Sequence, residues 1–140
     1  PYHNSPLYPS ENMEKICVDD AVKSHLAAGV PPEKLVMGLA FYGRGKKGFP
    51  RQRDLTRAHL VEGEYTFCWD SAAQVPYIAN GDGELVFGYE NEVSLALKGE
   101  YIVKNGLKGA MYWSYEGDNA SGDLRECVFK VINRKSERED

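Results

Sequence analysis

Two short, nearly continuous apolar runs, KLVMGLAF at 34–41 and LKGAMYW at 107–113, constrain the fold of this chain more than any other feature. Each directly follows a stretch with helical spacing. A short apolar run entered from a helix suits a strand buried on both faces of a parallel sheet, since helices then cover the faces. Two such helix-to-strand steps predict an α/β architecture whose parallel sheet is of the doubly wound or the barrel kind.

The helices are legible from their periodicity and their ends. Over residues 18–28, Ala21, Val22 and Leu26 recur at helical spacing; Asp19 and Asp20 suit the positive helix start, and Gly29 with Pro31 and Pro32 ends the segment. Over residues 92–104, Val93, Leu97 and Tyr101 mark one face, with a Glu100/Lys104 pair and Gly106 as a C-terminal cap. A third amphipathic helix begins at Asp123 with Leu124, Cys127, Val128, Val131 and Ile132 inward, and residues 135–140 form a charged tail. The first ten residues hold three prolines and read as a loop.

Between the two αβ steps the pattern changes. After the basic, glycine-containing stretch GKKGFPRQR come three β-prone runs, EYTFCWD, VPYIAN and ELVFGY, the last two joined by Asn80-Gly81-Asp82-Gly83, which predicts a hairpin. Residues 45–89 are thus expected to form a small α+β insertion. Residues 1–44 and 90–134 carry the parallel part. An insertion placed directly after a strand's C-terminal end lies on the face where such folds put their ligand sites.

Composition narrows the function classes. The 140 residues are 42% hydrophobic and carry a net charge of −4, with no basic stripe fit to neutralise phosphates, so no nucleic-acid partner is expected. No apolar run reaches the roughly 20 residues of a membrane span. Cys17, Cys68 and Cys127 stand far apart without metal-type spacing; they allow at most one disulfide, and no metal site or cofactor is expected. His3, His25 and His59 share no spacing with each other or with a nucleophile and are assigned no chemistry.

The strand ends carry the candidate binding residues. Tyr42 and Arg44 flank Gly43 where the first apolar run ends, placing an aromatic ring beside a five-donor guanidinium, a pairing able to grip sugar hydroxyls. They equally suit a tyrosine capping the core and an arginine paired with a carboxylate. Trp113 ends the second run before a polar loop, where an indole can offer its flat face to a pyranose ring, or can be a core tryptophan. Met111, two residues earlier, shares its strand face. Trp69 is expected in the core of the insertion.

In order along the chain, HNSPLY at 3–8, GVPPEKLVMGLAFYGRG at 29–45, VPYIAN at 75–80 and GLKGAMYWSYEGD at 106–118 resemble successive blocks of the family 18 glycoside hydrolases, the chitinases and chitinase-like lectins. The resemblance implies the C-terminal part of a (β/α)8 TIM barrel, strands seven and eight with flanking helices, interrupted by a short chitinase insertion domain. It implies binding of β-1,4-linked N-acetylglucosamine polymers, chitin or its oligosaccharides, with Trp113 flooring the subsite of the sugar to be cleaved and Met111, Tyr42 and Arg44 lining the groove. The insertion is short, which implies a low groove wall.

The resemblance also defines what this sequence lacks. The family's D-x-x-D-x-D-x-E run on strand four, whose last Glu protonates the glycosidic oxygen, does not occur in it, and Glu116, Asp118 and Asp123 have the wrong spacing and follow the wrong strand. No catalytic residue is therefore assigned, and the chain alone is expected to be inactive. The other readings are a non-catalytic chitinase-like lectin and a family 18 β-N-acetylglucosaminidase acting on peptidoglycan or N-glycans. Two parallel strands alone leave open sheet edges, so association with an N-terminal half or with a second copy is expected. The parent protein is expected to be secreted or in the cell envelope.

Overall fold

A computed structural model describes residues 2–11, 16–54 and 64–134. The first helix, α1 (Val18–Ala27), starts at Cys17, whose thiol sulfur accepts the Asp20 amide at 3.4 Å, a cap the sequence did not advertise. Asp19 in its first turn does more than suit the helix dipole: it is buried and accepts from the Tyr101 hydroxyl at 2.7 Å while pairing with Lys23 at 2.6 Å. Burial alone would raise its pKa, yet these two donors hold its carboxyl below the usual carboxylate range.

Strand β1 (Val36–Ala40) follows, and its partner in the sheet is a late one, β6 (Gly109–Trp113). The two are parallel, in register from Val36 opposite Gly109 to Ala40 opposite Trp113. Between them lie β2 (Arg44–Gly45), β3 (Thr66–Asp70), β4 (Val75–Ala79) and β5 (Leu85–Gly88), forming a separate antiparallel sheet in the order β2-β5-β4-β3. The expected hairpin joins β4 to β5: the Asn80 side chain accepts the amides of Asp82 and Glu84, and Gly83 takes a φ of +82°, the left-handed conformation glycine adopts without strain.

Helix α2 (Glu92–Lys104) begins with a reciprocal cap between Asn91 and Ser94, and α3 (Asp123–Asn133) packs across it. Gly99 makes this contact close, because a methyl group there would lie 2.9 Å from Val131 Cγ1. The helices and the inward face of the parallel pair share one core, in which Met37, Leu39 and Phe41 of the β1 segment meet Leu95 and Ile102 of α2, Val22 of α1 and Val128 of α3. Ile78, Val86 and Phe87 make a second, smaller core on the antiparallel sheet.

Three expectations fail here. Strand β1 is not buried on both faces: all three helices pack on the Met37/Leu39 side, while the described residues leave the opposite side open at Val36, 43% exposed, and Gly38, though Ala40 at its end is buried. The α2 stripe holds only in part: Tyr101 is buried and Leu97 packs against the core, but Val93 is exposed, and Ser94, Leu95, Lys98 and Ile102 complete the inward face. A lysine held by a buried carboxylate occupies the place that apolar spacing alone would give to a hydrophobic residue. Trp69 is not a core residue: its strand β3 lies at the edge of the antiparallel sheet, and the ring is exposed together with that of Phe67.

Candidate functional site

Both strands of the parallel pair run out at the same edge. Ala40 faces Trp113 across the ladder, and the Phe41 amide donates to the Trp113 carbonyl at 2.7 Å, so the segment 41–44 leaves β1 directly beside the end of β6. Alternation along β6 sends Met111 and Trp113 to the face that the helices leave open, the face it shares with Gly38 and Val36 of β1. Trp113 is 69% exposed and Met111 53%, which rejects the reading of Trp113 as a core residue. The neighbouring ring, Tyr112, turns the other way and stacks on the buried Phe41 at 4.5 Å between centroids.

Gly38 lies opposite Met111, and a methyl group at Gly38 would touch the Met111 sulfur at 3.6 Å, so glycine leaves this part of the face low and flat. The peptide bond between Trp113 and Ser114 is cis. The turn that follows is clamped to β1, since Gly117 packs so tightly on the Phe41 carbonyl that any side chain there would collide with it.

Tyr42 is 37% exposed, and its ring has the Arg44 guanidinium above it, 5.4 Å from the centroid. The pairing expected from sequence is therefore present, with the arginine held by the tyrosine rather than by a carboxylate among the described residues. Tyr42 is fixed through its backbone, whose carbonyl accepts from Asn4 Nδ2 at 3.2 Å. Met111 and Trp113 thus share one strand face, and Tyr42 and Arg44 stand together at the same sheet edge. Beside Arg44 opens a hollow of about 850 Å³ that includes Phe49 and Phe87 but none of Trp113, Met111 or Tyr42.

The acidic residues near this edge have structural partners. Asp118 is buried and accepts the amides of Asn119, Leu124 and Arg125 at 2.8–3.0 Å, tying the loop after β6 to the start of α3. Asp123 accepts from Asn119 Nδ2 at 2.6 Å, whereas Glu116 is held through its backbone carbonyl, which receives Arg53 Nη1 at 2.9 Å.

Sequence reasoning missed two networks that hold the N-terminal loop. His3 is buried with Nε2 2.8 Å from Asp70 Oδ2, which also accepts from Ser10. Burial opposes ionisation of Asp70, but the Ala73 amide, Ser10 and His3 together hold its pKa below the usual carboxylate value. In the second network, Lys98 reaches from α2 to the backbone carbonyl of Ser5 and forms a sealed ion pair with Glu90, which also accepts from Ser94 Oγ at 2.6 Å. Burial pushes the Glu90 carboxyl above its ordinary pKa despite the opposing pull of Lys98. Neither network has a local signal, because their members are 67 and 93 residues apart in sequence.

His25 is exposed on α1, and His59 lies outside the described residues. All three cysteines are free thiols. Among the described residues no set of three His, Cys, Asp or Glu side chains gathers in a way that could hold a metal ion, and no described helix is long and apolar enough to cross a membrane.

Residues 1–118 match the model for glycosyl hydrolases family 18, and the chain belongs to that family. It is 31% identical to chitinase A1 of Niallia circulans in an alignment covering 83% of this chain and 21% of the relative. Chitinase ChiW of Paenibacillus sp. str. FPU-7 superimposes with a TM-score of 0.76 at 33% identity, covering 97% of this chain and 18% of that one. The Ostrinia furnacalis group IV chitinase, solved in complex with allosamidin, gives 0.75 at 28% identity, covering 93% and 45%. Membership and these neighbours imply a TIM-barrel fold, of which the chain spans about a fifth of the length of chitinase A1.

Proposed function

We propose that this chain supplies the C-terminal part of a family 18 barrel, strands seven and eight, and that this part binds β-1,4-linked N-acetylglucosamine polymers without itself hydrolysing them. The observation that carries the reading is the uncovered face of the parallel pair. In a closed barrel the helices lie outside and the opposite face of each strand points to the interior. Here the three helices all lie on one face, and Trp113 and Met111 stand on the other at the C-terminal edge, where barrel enzymes place their ligands.

In this reading Trp113 offers its ring to the flat face of a sugar, Met111 fills the space beneath it, and Tyr42 with Arg44 supplies hydrogen bonds at the rim. Residues 45–89 stand as an insertion domain between segments 1–44 and 90–134. The free edges of β1 and β6 take further barrel strands, from an N-terminal half or a second copy. Hydrolysis needs the acid of the strand-four motif, which this sequence does not contain, and the nearby Asp118 is committed to the start of α3.

Titration of chitin hexamer against the 140-residue chain tests the proposal. Binding should weaken by about fivefold or more in Trp113→Ala, corresponding to lost stacking of about 1 kcal/mol or more. Undiminished binding by that variant, or turnover of a chromogenic chitin oligosaccharide by the chain alone, overturns it.

A further inference from the structure

Apart from Arg44, the basic segment that follows β1 has no role in the groove just described, yet it is the densest concentration of positive charge in the chain. Residues 44–53 hold Arg44, Lys46, Lys47, Arg51 and Arg53 and no acid, within a protein whose net charge is −4. Two of the five are committed: Arg51 pairs with Asp54 at 3.0 Å, and Arg53 donates to the Glu116 carbonyl at 2.9 Å. Arg44, Lys46 and Lys47 have no carboxylate partner among the described residues, and all three side chains are exposed.

These three cations are not scattered. They line the hollow of about 850 Å³ beside the antiparallel sheet, whose floor is aromatic: Phe49 stacks on Phe87 with centroids 5.2 Å apart and planes within 12°. The backbone there is anchored, as the Lys46 amide donates to the Val86 carbonyl at 2.9 Å. Among the described residues of the lining, Glu84 is the lone carboxylate against four cations, and it already accepts from Asn80 Nδ2 at 3.1 Å. Arg44 belongs to both places, since it lines the hollow and lies over Tyr42 at the sheet edge. A saccharide following that edge past Tyr42 therefore passes from an apolar, aromatic strip onto a concave surface of concentrated positive charge.

We propose that this hollow is a subsite for an anionic substituent, a carboxylate or sulfate carried on the saccharide, and that it sets a charge preference: N-acetylglucosamine oligomers bearing negative groups are favoured and deacetylated, ammonium-bearing ones are rejected. The assignment rests on the sugar-groove reading above for the direction in which the chain runs. Guanidinium and ammonium groups grip carboxylate and sulfate oxygens by charge-assisted hydrogen bonds, and the phenyl floor supports the ring that carries them. Because the cations face water, each contributes modestly and the preference is screened by salt.

The test compares three hexamers of equal length on the full 140-residue chain: neutral chitin hexamer, its sulfated derivative and its fully deacetylated form, with a hexuronate as a fourth arm separating carboxylate from sulfate. At low ionic strength the sulfated hexamer should bind about 3- to 10-fold tighter than the neutral one and the deacetylated hexamer more weakly, with the gap closing at high salt. In Lys46→Glu/Lys47→Glu, verified as folded by far-ultraviolet circular dichroism, the order of sulfated and deacetylated hexamers should invert. Equal affinities for the three hexamers, a preference untouched by this charge reversal, or equally tight binding of a polyanion that is not a sugar, such as polyglutamate, each overturns the proposal. Trp113→Ala separates this from the groove itself: if it leaves neutral binding intact while the charge preference persists, the stacking assignment fails and the anion subsite stands.

Discussion

Lys98 and Glu90 form an ion pair wholly withdrawn from solvent, with Lys98 on α2 also holding the Ser5 backbone carbonyl of the N-terminal loop. The pair adds a polar tie between α2 and the N-terminal loop, whose Leu7 and Tyr8 pack on the same core. Removing one partner leaves the other charge buried and unmatched, which is far costlier than replacing both. Lys98→Met should therefore destabilise the chain by about 3–5 kcal/mol, and the double variant Lys98→Met/Glu90→Met should recover a substantial part of that loss. Urea denaturation of the two single variants and the double variant checks this, and additive losses would remove the ion pair as the cause.

Asp70 supplies a pH dependence with a definite sign. Its folded pKa is depressed, so the carboxylate contributes stability that is fully present above the unfolded value of about 3.9 and is lost as pH falls through the folded value. The stability gap between wild type and Asp70→Asn should shrink as pH falls from about 5 to below about 4. Denaturant midpoints measured across that range would show it; a gap that widens toward acid would contradict the assignment.

Trp113 and Phe41 are neighbours across the β1/β6 ladder but differ in where their side chains go. The Trp113 ring is on the open face and Phe41 is fully buried. Trp113→Ala should change folding stability by no more than about 0.5 kcal/mol, while Phe41→Ala should cost about 3–5 kcal/mol. Thermal denaturation of both variants distinguishes the two environments.

Asp118 closes the first turn of α3 by accepting the amides of Leu124 and Arg125, and accepts that of Asn119 in the loop before it. Asp118→Ala leaves these donors in a buried site and should cost about 1–3 kcal/mol. Asp118→Asn retains one acceptor oxygen and should lose less, a difference that amide hydrogen exchange at Leu124 and Arg125 would localise.

Local physics made most of the elements readable. The helical spacing of Ala21, Val22 and Leu26, the Asn80-Gly81-Asp82-Gly83 turn and the apolar runs ending at Phe41 and Trp113 each carry their own signal over a few residues, and helix α1, the β4/β5 hairpin and strands β1 and β6 are found there. Pairings between distant residues carry none. Nothing beside Lys98 in sequence announces that Glu90 and Ser5 will enclose it, and apolar spacing therefore put Val93 on the wrong side of α2. Trp69 was misread for a related reason: a tryptophan in a β-prone run looks like core until the strand order shows β3 at an edge. At the candidate site, the adjacency of Tyr42 and Arg44 is a property of two residues separated only by Gly43, whereas their place beside the end of β6 depends on a parallel pairing across 73 residues of sequence, from Ala40 to Trp113, that the ordered motifs implied and no local rule could supply.

The single-sided coverage of the parallel strands has a consequence for how such a protein can change. Residues 37, 39 and 41 are bound by the packing of three helices, while 36, 38, 111 and 113 answer to almost nothing inside the chain. Alternation along a strand thus sorts neighbouring positions into two groups under separate constraints, so that substitutions altering which sugars are accepted need not disturb the fold that presents them.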